Sequence, residues 1–382
     1  PTRTDDNSFD SPIGVMIDGI YLGTLAGQVL ENFDIERVEV MRVPQGTLFG
    51  KNTVGGVIHV ILSRPTGDLG GRLQATFGED GQQEYRAVLN APIMEDVLAA
   101  KLFGTFQKDD GYYENVTTGN DFGDKDYKNY GLTLLATPTD NFEAQLTIEK
   151  FKDESKLNAF HTNYNLVPGV ASPPTDPNET DYSGGHLSCA LSPLFTGAPQ
   201  CRDSFNIPSD AEGDTDNDAE LDTDAYTLNM SLDLNENMTL VSVTGWREMD
   251  EYRIYDFDGS ASPFITIERW NDYQQFSQEL RIDGSWDNLS VTGGAYYFNN
   301  EFEQDWVTGG AFWSVVQPAV NIQQNWTECQ GGAIAPVYCD TSVPTPPGLE
   351  TTQILFEEQE TTSNAFFFQA DWTFMPDWTL TA

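Results

Sequence analysis

From Gly71 onward the chain repeats one pattern: apolar side chains at every second position, segment after segment. Tyr226, Leu228, Met230 and Leu232 alternate with Thr227, Asn229, Ser231 and Asp233. Phe142, Ala144, Leu146 and Ile148 oppose Glu143, Gln145, Thr147 and Glu149, while Phe276, Leu280 and Ile282 oppose Ser277, Glu279 and Arg281. Phe366, Phe368, Ala370, Trp372 and Phe374 form another such face. A two-residue period with one apolar face specifies β-strands. There are about eleven such segments, most near the roughly 9 to 11 residues that cross a bilayer obliquely.

The connections carry a second signal. Ala91 to Asp96, Thr139 to Asn141, Asn235 to Asn237, Gly284 to Asn288 and Met375 to Asp377 are short. Asp109 to Asp126, Glu154 to Asp222, Asp256 to Asp272 and Trp306 to Thr362 are long. In an antiparallel meander every second connection lies at the same end, so one end carries tight turns and the other long loops, as in outer-membrane barrels. A soluble sandwich, with the apolar faces packed on a second sheet, is the alternative.

Composition removes other classes. Sixty acidic against 19 basic side chains, a formal charge of −41, leave no clustered Lys and Arg for a nucleic-acid surface. Twenty-three Phe, 15 Tyr and 8 Trp are too many aromatics for a disordered acidic chain. No run approaches the ~20 apolar residues of a membrane-spanning helix. A mean hydropathy of −0.41 does not exclude a transmembrane barrel, whose strands alternate lipid-facing and lumen-facing residues.

Ahead of the repeating segments lies DIERVEVMRVPQGTLFGKNTVGGVIHVILSRP, Asp34 to Pro65. It reads as a strand (Ile35 to Arg42), a Pro-Gln-Gly turn, a glycine-punctuated loop (Gly50 to Gly56) and a second strand (Val57 to Leu62). GTLFGKN is not a phosphate loop, because Gln45 stands where the first glycine is needed and Asn52 where magnesium needs Ser or Thr. Glu36, Arg37, Glu39 and Arg42 put charge on both faces of the first strand. This suits a small domain enclosed by a polar lumen, or an exposed edge strand. Upstream, Ile13 to Ile17 reads as a strand ending in Asp18-Gly19, followed by a segment to Asn32 with room for one helical turn.

The stretch from Asp34 to Pro65, with VMIDGIYLG at Val15 to Gly23, resembles the later part of the plug domain of TonB-dependent outer-membrane receptors. Val43 stands where the family commonly has glycine, and His59 where asparagine is usual. The resemblance implies an all-β chain with a small α+β plug remnant at 1–66. Residues 67–382 would be an antiparallel transmembrane β-barrel of up-and-down meander, incomplete at about eleven strands. An internal fragment is the expectation, because the family's barrel needs about twice that number. The implied function is active uptake of a scarce solute across the outer membrane of a Gram-negative bacterium, in contact with the lipid bilayer and powered by the inner-membrane TonB complex through upstream residues. The cargo would be an iron-siderophore complex, an oligosaccharide or a cobalamin-like compound. A passive porin-like channel and a soluble all-β binding or adhesion protein are the alternatives.

In the family, plug apices and outer loops capture ligand, which nominates Tyr21, Gln28 and Asn32 of the plug and Trp306, Phe312, Trp313 and Trp326 of a long loop. These aromatics equally suit an interfacial girdle. Plug arginines engage wall carboxylates in the family, so Arg37 and Arg42 are expected to meet Glu279. The loops hold few Arg and Lys, which favours a neutral or cationic cargo. Cys189 with Cys201 and Cys329 with Cys339 fall as close pairs and suggest two local disulfides in an oxidising compartment. Asp214, Asp216 and Asp218 alternate as in a calcium loop, but Ala219 and Ala225 replace the EF-hand glycine and bidentate Glu. A looser Ca²⁺ site and a plain solvated acidic loop are the two readings left. No nucleophile, base and orienting acid assemble from motifs, so no enzyme is expected.

Overall fold

The computed structural model describes residues 13–24, 34–42, 55–115, 117–158, 210–211, 213–257, 259, 265–309, 353–375 and 378–381. Among them every regular element is a strand. A four-stranded sheet holds β1 (Ile13–Ile17), β2 (Ile20–Tyr21), β3 (Ile35–Met41) and β4 (Gly56–Leu62), in the order β2-β1-β4-β3. Asp18 and Gly19 join β1 to β2 with φ of 47° and 87°, the left-handed pair that a two-residue hairpin turn requires. Both faces of β1 are covered. Val15 and Ile17 pack with Leu22, Val60 and Leu62, and Met16 packs with Tyr21, Val57 and Phe298 of the larger sheet.

Of the two settings the sequence allows for the charged strand, the structure shows one. Strand β3 is a largely exposed edge strand rather than one enclosed by polar walls, because it sits at the margin of the small sheet beyond β4. Its charges find partners within the strand: Arg37 meets Glu36 at 2.6 Å and Glu39 at 2.7 Å.

The large sheet contains β5 (Gly70–Phe77), β6 (Gln83–Met94), β7 (Leu98–Asp109), β10 (Lys125–Thr139), β11 (Phe142–Asp153), β13 (Ala219–Asn235), β14 (Met238–Asp256), β15 (Thr266–Trp286), β16 (Leu289–Gly309), β17 (Gln353–Met375) and β18 (Trp378–Thr381). These eleven strands pair antiparallel in chain order, and the sheet is open, with β5 and β18 at its edges. A third, small sheet joins β8 (Tyr113–Asn115), β9 (Asp121–Phe122) and β12 (Asp210–Ala211).

Alternation sorts the wall. Odd-numbered residues of β15 such as Tyr273 and Gln275 turn to the small sheet and are buried, whereas Phe276, Leu280 and Ile282 turn away and are exposed. On the outward face Tyr85, Phe106, Tyr130, Tyr226, Trp246, Phe276 and Tyr297 form an aromatic band, with Tyr226 directly opposite Trp246 and Trp246 opposite Phe276. Several of these rings touch, as in the pairs Tyr226–Trp246 at 5.3 Å and Phe276–Tyr297 at 6.1 Å. Toward the tight turns the outward face is apolar, with Phe366 88% exposed. Toward the long loops it becomes acidic: Asp222, Asp250, Asp272, Glu303 and Glu358 are successive direct cross-strand partners on five strands.

The strands at this end are longer than a bilayer crossing needs. β14, β15, β16 and β17 run for 19, 21, 21 and 23 residues, absorbing parts of what the sequence suggests are loops.

Candidate functional site

The small sheet meets the inner face of the wall through a polar seam. Its deepest member is Lys101 on β7, whose side chain is 1% exposed. A strand carries it there: Ala100 and Leu102 face outward, so the residue between them must face inward. Lys101 Nζ donates to Asp34 Oδ2 at 2.7 Å, to Ser63 Oγ at 3.2 Å and to the Ser63 carbonyl. Ser63 Oγ also donates to Asp34 at 2.5 Å. Burial pushes the Asp34 carboxyl up, but hydrogen bonds from Lys101 and Ser63 more than offset this and hold it below the usual range. Asp34 precedes β3 and Ser63 follows β4, so one wall ammonium clasps both strand ends.

Further along, Gln275 on β15 donates to the Tyr21 carbonyl at 2.8 Å and accepts from Gly23 N–H at 3.1 Å. Thr24 Oγ1 reaches Met249 Sδ at 3.6 Å, and Asn229 donates to the Asp18 carbonyl at 3.2 Å. Tyr21 is 3% exposed, and its ring meets Phe298 edge-on at 6.0 Å. It therefore anchors the small sheet on the wall.

The Asp18-Gly19 turn has its own polar frame. Asp18 Oδ1 accepts Leu62 N–H at 2.9 Å, and His59 Nε2 accepts Gly19 N–H at 3.0 Å. The acceptor role fixes the neutral His59 proton on Nδ1, and burial lowers its pKa. Burial is also the main cause that pushes the Asp18 carboxyl up to about 6. A carboxyl raised above its unfolded value contributes stability below pH ~4 that is lost as pH rises through its folded value. At pH 8 Asp18 is therefore a buried, costly anion. Asp18→Asn keeps the oxygen acceptor and suits a left-handed turn. It is expected to stabilise the small sheet by about 2 to 3 kcal/mol at pH 8 and by little at pH 4. Denaturant unfolding at the two pH values checks this, and an equal gain at both would refute it.

The remaining sequence candidates fall in three groups. Glu279 bonds Arg281 at 2.6 Å on its own strand, and Arg42 lies exposed past the end of β3. The buried clasp thus has a wall cation and an anion beside the small sheet, while the expected polarity occurs at a more exposed pair just past β4, where Arg64 meets Glu143 of β11 at 2.5 Å. Trp306 faces inward opposite Arg269, whose guanidinium lies 5.7 Å from its ring centroid. Gln28, Asn32, Phe312, Trp313, Trp326 and the four cysteines Cys189, Cys201, Cys329 and Cys339 lie outside the described residues.

Asp214, Asp216 and Asp218 have separate partners. Asp216 takes Thr118 Oγ1 at 2.5 Å and Asn120 Nδ2 at 2.6 Å. Asp214 donates its N–H to Asp256 at 3.1 Å, and the Asp218 carbonyl accepts Ile254 N–H at 2.9 Å. Among the described residues no group of three or more His, Cys, Asp or Glu side chains is gathered to hold a metal ion. The Asp216 carboxylate thus ties down the Thr118–Asn120 turn, while backbone groups of Asp214 and Asp218 are tied to β14.

Sequence reasoning missed Lys101. The signal was there: a lysine within an alternating strand, at a position whose parity turns it to the inner face, has to find an anion.

Comparison with known proteins gives this seam its context. Residues 6–57 match the family model of the TonB-dependent Receptor Plug Domain. The pesticin receptor of Yersinia pestis is 32% identical over 116 residues, which cover 30% of this chain and 17% of that protein. The vitamin B12 transporter BtuB of Vibrio vulnificus is 26% identical over 186 residues, 46% of this chain and 29% of that one. Among solved structures, the ferric yersiniabactin uptake receptor FyuA of Yersinia pestis superposes with a TM-score of 0.58 at 15% identity, covering 97% of this chain and 54% of that one. The siderophore receptor PiuA of Acinetobacter baumannii gives a TM-score of 0.60 at 14% identity, with 96% and 49% covered. The chain thus spans about half the length of these structures and less than a third of the curated relatives. A plug-domain match over residues 6–57, on strands clasped to one face of an open antiparallel wall, makes this chain similar to the TonB-dependent receptors.

Proposed function

We propose that the chain serves TonB-dependent active uptake of a scarce solute across the outer membrane of a Gram-negative bacterium. Residues 1–66 act as plug and 67–382 as barrel wall in contact with lipid. The observation that carries this reading is the seam itself. The small sheet is held to the wall by a few polar clasps, Lys101 with Asp34 and Gln275 with Tyr21 and Gly23, rather than merged into it by continuous strand pairing. Such clasps hold a plug against passive leakage and yield one by one to a directed pull from the inner-membrane TonB complex. A passive channel needs no seated plug, and the outward aromatic band has the form of a membrane-interface girdle.

The cargo classes in view are an iron-siderophore complex, an oligosaccharide and a cobalamin-like compound. The proteins similar to this chain include ferric-siderophore receptors and a vitamin B12 transporter. In cells producing the receptor that contains this chain, uptake is expected to stop when the proton-motive force is collapsed. Cargo entering equally well in both conditions would overturn active transport.

A further inference from the structure

We propose that the outside of the wall, where its strands stand clear of the bilayer, is a docking surface for a protein partner whose contact face is apolar at its centre and rich in Lys and Arg at its rim. The inference goes beyond uptake and rests only on the wall being seated in a membrane. A crossing takes roughly 9 to 11 residues of strand. On β15 the stretch from Phe276 to Trp286 supplies that length, with an exposed aromatic ring at each end. The outward face above Phe276 therefore stands in headgroups or water.

Two rows of carboxylates come first. Asp224, Glu248, Glu301 and Glu360 lie nearer the aromatic band, and Asp222, Asp250, Asp272, Glu303 and Glu358 lie two residues further out. Like charges directly opposite one another repel. Lys150 pairs with Asp224 at 2.8 Å, and the other eight have no ion pair among the described residues. Nothing on these strands can supply one. After Lys156 the chain has no lysine, and Arg247, Arg253, Arg269 and Arg281 share the inward parity of Met249 and Tyr273.

Beyond the carboxylates the face turns aromatic again. Tyr252 lies directly opposite Trp270 with their rings 5.4 Å apart, and Phe356 follows two strands on, with Asp305 between. Trp270 is 40% and Phe356 52% exposed. The next row out, Ile254, Glu268, Val307 and Ile354, is half-buried and mostly apolar. Trp270 stands six residues from Phe276, roughly 20 Å along the strand, so this second aromatic group is no part of an interfacial girdle. Exposed apolar patches rimmed by polar residues mark contact surfaces, and Trp and Tyr dominate the centres of protein interfaces.

Charge selects the occupant. A neutral or acidic partner seated on the rings would meet eight carboxylates without counter-charge, whereas Lys and Arg at its rim would relieve the repulsion across five strands. A second copy fits less well, because its outward lysines Lys128 and Lys152 already meet Glu154 at 3.9 and 2.9 Å.

The test is calorimetric titration of the receptor containing this chain, held in phosphatidylcholine discs, with an 18-residue amphipathic helix of Leu and Lys. Empty discs give the background. The same helix with Glu in place of Lys should not bind, and oligolysine of equal charge should bind at least tenfold more weakly. Trp270→Ser with Phe356→Ser, which leaves net charge unchanged, is expected to weaken the Leu-Lys helix at least tenfold. Asp250→Asn with Asp272→Asn should do the same, while Glu79→Gln with Glu95→Gln, exposed at distant turns, should change it less than twofold. Equal losses for the two charge-removing pairs would reduce the effect to diffuse acidity and overturn the proposal. So would oligolysine binding as tightly as the helix. Oxidative labelling of Trp270 in the unsubstituted receptor serves if the serine variant fails to assemble: protection by the helix is expected, and unchanged labelling overturns the proposal. A dimer present without peptide and dissolved by Trp270→Ser would assign the face to a second copy, and overturn it too. No outcome involves the proton-motive force, so the transport reading stands or falls on its own test.

Discussion

Lys101→Met is expected to loosen the plug by about 3 to 5 kcal/mol, the usual cost of removing one partner from a buried ion pair. The methionine fills most of the lysine's volume, so the loss is electrostatic. Asp34 would remain a carboxylate with Ser63 at 2.5 Å and Arg72 at 3.8 Å. Asp34→Leu alone should be similarly harmful, because it strands the ammonium. The double variant should recover much of the loss, since an apolar pair of matched size often replaces a buried ion pair at little cost. Hydrogen exchange offers a local readout: the Ser63 amide, bonded to the Asp34 carbonyl at 2.9 Å, should exchange faster in both single variants and near the native rate in the double. Additive losses would mean that the two side chains do not interact.

Gly56→Ala should be comparably severe, and for a reason confined to the backbone. Gly56 opens β4 at φ 133°, a conformation essentially reserved for glycine. A Cβ there would stand 2.2 Å from the Met41 carbonyl oxygen, inside any permitted contact. Strain of roughly 1 to 3 kcal/mol and overlap of similar size sum to about 3 to 5 kcal/mol. The damage falls where β4 pairs with β1 through Ile13 and, at the adjacent Val57, with β3 through Met41. Gly67 is the control: it also has positive φ, at 75°, but its Cβ would meet nothing within 4 Å. Gly67→Ala should cost about 1 to 2 kcal/mol. Equal denaturant midpoints for the two variants would show that overlap with Met41 plays no part.

Much of the architecture was legible because period two is a strong signal wherever one face is apolar. The alternation at Tyr226 to Leu232, the tight turns near Asn141, Asn237 and Asn288, and the strand Ile13–Ile17 all stand where the sequence puts them. Strand length was not legible. At Asp222, Asp224, Glu248 and Asp250 the outward face is as polar as a loop, and the contrast that reveals a strand disappears. The plug clasp was sought among Arg37, Arg42 and Glu279, each of which has carboxylate or guanidinium groups nearby in sequence or an exposed position at a strand end. Lys101 has neither, and parity alone would have singled it out.

The row of carboxylates on the outward face also acts as a waterline. Four residues below it on the same face stand Trp246 and Phe276, partners across β14 and β15, and the row between holds Asp224, Glu248 and Glu301. With the wall seated in a bilayer, sinking it by two residues, roughly 7 Å along a strand, would push the nearer carboxylates Asp224, Glu248 and Glu301 to the level of the aromatic band, where they lose their hydration. Rising by the same step would lift rings into water. Depth is thereby set to within about one pleat, independently of how thick the hydrocarbon beneath happens to be. Slippage of a single strand meets the same barrier, since a two-residue shift of β15 against β14 would set Glu248 beside Phe276, and a four-residue shift would set Asp272 beside Trp246 or Asp250 beside Phe276.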